Sequence, residues 1–164
     1  MRYALMRKMD ISNGAFVGVS LFVQGCHFHC KNCFNEETWD FKGGYEWTQE
    51  SKDKFLELMN KPYIKRVSIL GGEPLTDENI KDVVDLMKAI KEKYPDKDIW
   101  VYTGYTFSVV KNKMPDVLQY ADVIVDGRYI EELRDITLKF RGSSNQRIWV
   151  NTDEGWVDTT VNRD

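Results

Sequence analysis

Residues 64–103 read IKRVSILGGEPLTDENIKDVVDLMKAIKEKYPDKDIWVYT, and this stretch decides the fold. Ile64–Leu70 is rich in apolar and β-branched residues and is halted by Gly71-Gly72, the pattern of a buried strand. Thr76 then stands as the N-cap of a helix. In it Ile80, Val83, Val84, Met87 and Ile90 recur at i, i+3, i+4 and i+7 spacing, one apolar stripe. Asp77 and Glu78 fall in its first turn, Lys91 and Lys93 in its last, each sign matched to the helix dipole. Tyr94-Pro95-Asp96 ends it, and Ile99–Thr103 is the next strand, broken by Gly104. Strand, helix and strand at this spacing imply a parallel pair joined by a right-handed crossover.

The same grammar extends in both directions. Val17–Val23 reads as a buried strand ending at Gly25. Thr48 caps a helix with Phe55, Leu58 and Met59 on its apolar side, stopping near Pro62. Beyond residue 103 a weaker helical region, Phe107–Leu118, is interrupted near Pro115. A strand at Asp122–Val125 ends at Asp126-Gly127, and the tail holds a strand at Arg147–Val150 and a turn at Asp153-Glu154-Gly155. With no repeat and no linker, residues 1–164 are read as a single α/β domain with a mainly parallel sheet. Ligands in such folds bind at the carboxyl ends of the strands. Cys26–Cys33, Gly71–Pro74, Thr103-Gly104-Tyr105 and Asp126-Gly127-Arg128 each follow a strand, so all four are expected on one rim.

The bulk properties narrow the function. A net charge of −3 argues against a nucleic-acid-binding face. The most apolar stretch, Val17–Val23, is too short to span a bilayer, and Met1–Asp10 lacks the apolar core of a signal peptide. The expectation is a soluble, cytoplasmic protein with no nucleic-acid or membrane partner. All 3 cysteines fall within one short run, an odd number that cannot all pair as disulfides. A metal site is the better reading.

Cys26, Cys30 and Cys33 form the pattern C-x3-C-x2-C. An iron–sulfur cubane usually takes four thiolates, so three leave one iron open, as substrate-binding metal sites do. Zinc is the competing metal, with His27 or His29 completing a tetrahedron in a non-enzymatic module. Zinc sites usually place their ligands as two separated pairs, and no second pair is present here.

The triad after a first strand resembles the signature of the radical S-adenosylmethionine enzymes. The resemblance implies a partial (β/α) barrel, one 4Fe–4S cluster held by Cys26, Cys30 and Cys33, and reductive cleavage of S-adenosylmethionine to a 5′-deoxyadenosyl radical. Gly71-Gly72-Glu73 resembles the segment that binds the methionine amino group in that superfamily, with Glu73 as acceptor for the ammonium. The superfamily often carries an aromatic residue just before the third cysteine. Asn32 stands there, with Phe34 just after Cys33, so both are candidate adenine contacts.

A narrower resemblance runs from near the N-terminus to Gln146. Asp10-Ile11-x-Asn13-Gly14, Glu37-Thr38-Trp39, Gly71-Gly72-Glu73-Pro74-Leu75, Thr103-Gly104-Tyr105, Val125-Asp126-Gly127 and Arg141-Gly142-Ser143-Ser144-Asn145-Gln146 are similar to the anaerobic ribonucleoside-triphosphate reductase activating proteins. That family makes a glycyl radical on its partner reductase by taking a glycine Cα hydrogen, usually with reduced flavodoxin as electron donor. The sequence departs from the family at Ala15-Phe16-Val17-Gly18, where many relatives have Pro-Gly-x-Arg. A radical enzyme acting on a small molecule is the other enzymatic reading.

Overall fold

The computed structural model describes residues 1–163. The strands are β1 (Arg2–Asp10), β2 (Gly18–Val23), β3 (Tyr45–Glu46), β4 (Arg66–Gly71), β5 (Asp98–Tyr102), β6 (Val123–Asp126), β7 (Arg147–Thr152) and β8 (Gly155–Asp158). They form one sheet in the order β3-β1-β2-β4-β5-β6-β7-β8. The central strands β2, β4, β5 and β6 are parallel, as the strand–helix alternation requires. Antiparallel strands are added on both sides: β1 and β3 beside β2, and β7 and β8 beside β6.

Helices α1 (Gln49–Leu58), α2 (Ile80–Lys93), α3 (Phe107–Lys113) and α4 (Pro115–Tyr120) lie in the connections. In α1 the Thr48 side chain accepts from Ser51 N–H while Ser51 Oγ accepts from Thr48 N–H, a reciprocal cap. Pro115 separates α3 from α4 and begins α4, where its missing N–H costs nothing. Helix α2 starts later than its sequence suggests. Its N-cap is Asn79, not Thr76, and the Thr76 carbonyl accepts from both Asn79 N–H and Ile80 N–H in the preceding turn.

Side chains alternate along a strand, so the sheet has two unlike faces. Val19, Leu21, Val23, Val67, Ile69, Ile99, Val101 and Ile124 pack with Phe55, Val83, Leu86, Met87, Ile90, Val110 and Val117 into one buried core, so all four helices lie on one face. Each such fully buried side chain contributes about 1.5–3 kcal/mol. The opposite face carries Ser20, Phe22, Arg66, Ser68, Leu70, Trp100, Tyr102, Val123 and Val125, and no α-helix covers it among the described residues. This is the architecture of a partial (β/α) barrel whose interior is the helix-free face.

One end of that interior is closed by the segment after β1. Arg66 is only 1% exposed. Its guanidinium donates to Ala15 O, to Ser68 Oγ and to Asp10 O, and lies 3.4 Å from Asp10 Oδ1. Asp10 also accepts from Ser12 N–H, Asn13 N–H, Asn13 Nδ2 and Ser20 Oγ. Burial resists its charge, but these donors prevail and hold the carboxyl down at about 2. A guanidinium therefore does lie against the Ala15–Gly18 segment, supplied by β4.

Candidate active site

The loops after β2 and β4 are laid directly on one another. Gly25 N–H donates to Thr38 O at 2.6 Å, and Cys26 N–H to Trp39 O at 3.1 Å, which anchors the cysteine loop. Gly72 N–H donates to Val23 O, and Glu73 N–H donates to Gly25 O at 2.7 Å. The approach needs glycine. A Cβ on Gly25, whose φ is +104°, would stand 2.1 Å from the Phe41 ring, and one on Gly72 would stand 2.4 Å from Gly25 O.

The three thiols are half-buried and form no disulfide. Burial raises Cys26, while the N–H groups of Phe28 and His29 oppose it. Burial, then the neighbouring Cys33, raises Cys30, opposed in part by Arg128 and the Tyr129 N–H. Asn35 N–H donates to Cys33 Sγ at 3.4 Å. Amide donors aimed at sulfur favour the thiolate, and a bound cation would complete that preference. Among the described residues no three such ligands close around a single ion. The two histidines face solvent, as their loop position suggests. His27 Nε2 lies 2.9 Å from Glu78 and its ring lies against Phe41, whereas His29 stacks on Trp39 at 4.4 Å.

A cavity of about 540 Å³ lies on the helix-free face. Cys26, Cys30, Cys33 and Phe34 line it from the first loop, Gly71, Gly72 and Glu73 from the second, Thr103 and Gly104 from the third, and Gly127 and Tyr129 from the fourth. Phe22, Leu70, Tyr102 and Val125 form its wall. The four segments expected on one rim do meet there. Asn32 does not line the cavity. It is exposed, has φ +56°, and its side chain bonds to Glu131.

Residues 12–149 match the family model described as a 4Fe-4S single cluster domain. The chain is 40% identical over 150 residues to the anaerobic ribonucleoside-triphosphate reductase-activating protein of Vibrio cholerae, covering 90% of this chain and 97% of that one. It is 38% identical over 156 residues to the protein of the same name from Enterobacteria phage T4, covering 95% and 98%. The Escherichia coli protein of that name is 37% identical over 148 residues, covering 89% and 96%. The chain belongs to this activating-protein family.

The activating-protein site rests on Glu73 as a strut. The side chain is 2% exposed, and its carboxylate accepts from Leu75 N–H at 2.9 Å, Thr103 Oγ1 at 2.8 Å and Gly104 N–H at 2.6 Å. Burial outweighs these donors and pushes the carboxyl up to about 7. Glu73 thus ties the second loop to the third, and Asn79, donating to Gln24 O and Glu73 O, ties the first and second loops to the base of α2.

Part of the site, residues 135–140, was not anticipated from residue type. The segment between β6 and β7 crosses the cavity and lines it with Asp135, Ile136, Leu138, Phe140, Arg141, Gly142 and Gln146. It meets the cysteine loop through Arg128 over the Phe28 ring at 4.5 Å, Tyr129 against Phe34 at 5.0 Å and Arg134 over Phe34 at 5.5 Å. The alternating aromatic and arginine residues at 128–141 were the available signal. No helix among the described residues is long and apolar enough to cross a membrane.

Proposed function

We propose that Cys26, Cys30 and Cys33 hold one 4Fe–4S cluster and that S-adenosylmethionine occupies the cavity beside it. The chain then takes a Cα hydrogen from a glycine of an anaerobic ribonucleoside-triphosphate reductase. One observation carries the reading: the cysteine triad and Gly71-Gly72-Glu73 line the same cavity, in a chain of the activating-protein family. The cavity volume is that of a small-molecule site. A bound, reduced cluster would supply one electron to the sulfonium, whose C5′–S bond would break to release methionine and the 5′-deoxyadenosyl radical that takes the glycine hydrogen.

The chain's own residues hold and orient. Backbone N–H groups near Cys26 and Cys30 partly offset the burial that raises these two thiols, and Asn35 N–H donates to Cys33 Sγ. Gly71 and Gly72 let the backbone approach the methionine end of the cofactor. Glu73 Oε1 accepts one protein N–H and keeps a lone pair for the ammonium. Phe34, which follows Cys33 and lines the cavity, faces the adenine. Reduced flavodoxin is the proposed electron donor, and the cytoplasm the proposed compartment.

Anaerobic reconstitution followed by iron and sulfide analysis tests the cluster. Reduced protein mixed with S-adenosylmethionine and the reductase is then read by electron paramagnetic resonance. A glycyl doublet on the reductase is expected; cleavage of S-adenosylmethionine without that doublet would leave a small-molecule radical enzyme instead. Stoichiometric zinc with no sulfide would sink both.

A further inference from the structure

The strand β1 leaves most of its outer edge open. Strand β3 pairs with it only at Arg2 and Tyr3, so among the described residues nothing pairs with that edge from Ala4 to Met9. The opposite edge of the sheet, β8, is only Gly155–Asp158. Within β1 a regular register pairs Leu5 with Phe22, Met6 with Leu21 and Arg7 with Ser20. That register sets Leu5 and Arg7 on the helix-free face and Met6 toward the core. Arg7 lines the cavity with its guanidinium over Phe22, and Leu5 is 46% exposed. The open edge is therefore continuous with the cavity through Arg7, and Ser12 and Asn13 carry the lining on from the end of β1.

Resting on the function proposed above, we propose that an extended, glycine-containing segment of the reductase adds to this edge as a further strand. A strand edge offers a row of N–H and C=O groups that another extended chain satisfies. Alternate residues of the added strand face the cavity. A residue with a side chain would direct Cβ there, whereas glycine directs a Cα hydrogen, the atom to be removed. A second copy of this chain is the poorer occupant. Edge-to-edge pairing of two β1 strands over the open residues would bring Arg7 and Lys8 of each copy close, and like charges across a ladder repel.

Amide hydrogen exchange on cluster-loaded protein, with and without reductase, tests the proposal. Outward-facing amides between residues 4 and 9 should exchange more slowly when the reductase is present. Leu5→Arg should raise the KM for reductase by about tenfold, while 5′-deoxyadenosine formation without reductase stays at the wild-type rate. Unchanged exchange at residues 4–9 in a reaction that forms the glycyl radical would overturn it, as would a wild-type KM for Leu5→Arg. Protection that appears on concentrating the chain alone would also overturn it, in favour of self-pairing. Wild-type protein that forms no glycyl radical at all is a different result, and it removes this proposal together with the reading beneath it.

Discussion

Replacing Gly72 by alanine tests the joint between the two site-forming loops. The new Cβ would stand 2.4 Å from Gly25 O and 2.8 Å from Thr38 O, both backbone atoms that no rotamer change can move aside. Ordinary contact begins at 3.4 Å, so Gly25 O must retreat by 3.4 − 2.4 = 1.0 Å. A retreat of that size stretches the 2.7 Å bond from Glu73 N–H beyond hydrogen-bonding range. The lost bond costs about 1 kcal/mol, and forcing a methyl into a packed site costs about 1–3 kcal/mol. A loss of about 2–4 kcal/mol lowers the melting temperature by about 4–16 °C at this chain size. Because Gly25 adjoins Cys26, iron and sulfide loading should fall as well. Thermal unfolding and metal analysis read the two effects, with Gly155→Ala as control. That residue, unlike Gly72, has positive φ, but its added Cβ meets no atom within 4 Å, so only the backbone cost of about 1–2 kcal/mol applies. A Gly72→Ala protein that melts like wild type and loads iron normally would refute the reasoning.

Cys33→Ser should abolish the visible absorbance of the reconstituted cluster while leaving far-ultraviolet circular dichroism unchanged, since Cys33 belongs to no helix or strand. Glu73, raised to about 7, should bind the cofactor ammonium more tightly as pH rises through 7, and Glu73→Gln should flatten that profile in equilibrium dialysis. The same raised carboxyl favours folding below its unfolded pKa of 4.5 and loses that contribution as pH rises through about 7. Wild type should therefore lose about 3 kcal/mol of stability relative to Glu73→Gln as pH rises toward 8. Asp10 carries the opposite sign. Its stabilisation is full above 3.8 and is lost as pH falls through about 2. Asp10→Asn should be about 2–5 kcal/mol less stable at pH 7. In urea unfolding that gap should shrink by about 1 kcal/mol by pH 3; a constant gap would contradict the assignment.

Hydrophobic periodicity was enough to read the parallel centre, because β4, α2 and β5 each bury one continuous apolar pattern. The cap of α1 was equally legible, since Thr48 and Ser51 satisfy each other locally. Strand β1 was not, because Arg2, Arg7 and Lys8 suit an edge whose sole full-length partner is β2. Asn79 was passed over as the cap of α2 because its side chain serves Gln24 O and Glu73 O across the fold, which no local pattern reveals. In the site, the cysteines and the glycine pair were legible because their chemistry lies in residue type and spacing. Glu73 was read from the sequence as a ligand group; its further part as a strut, with three protein donors, is created only by the tertiary arrangement. Arg66 was invisible for the same reason, its partners lying as far back as Asp10.

The unlike faces of the central sheet constrain how such a chain can change length. An insertion that slips the whole of β4 by one residue would turn Arg66 and Ser68 toward the helices and Val67 and Ile69 toward the cavity, exchanging the two environments in one step. The chamber and the helix-bearing core are thus locked to a common phase, and neither can drift without the other. Insertions and deletions tolerated in this lineage should accumulate between strands, leaving the parallel strands themselves constant in length.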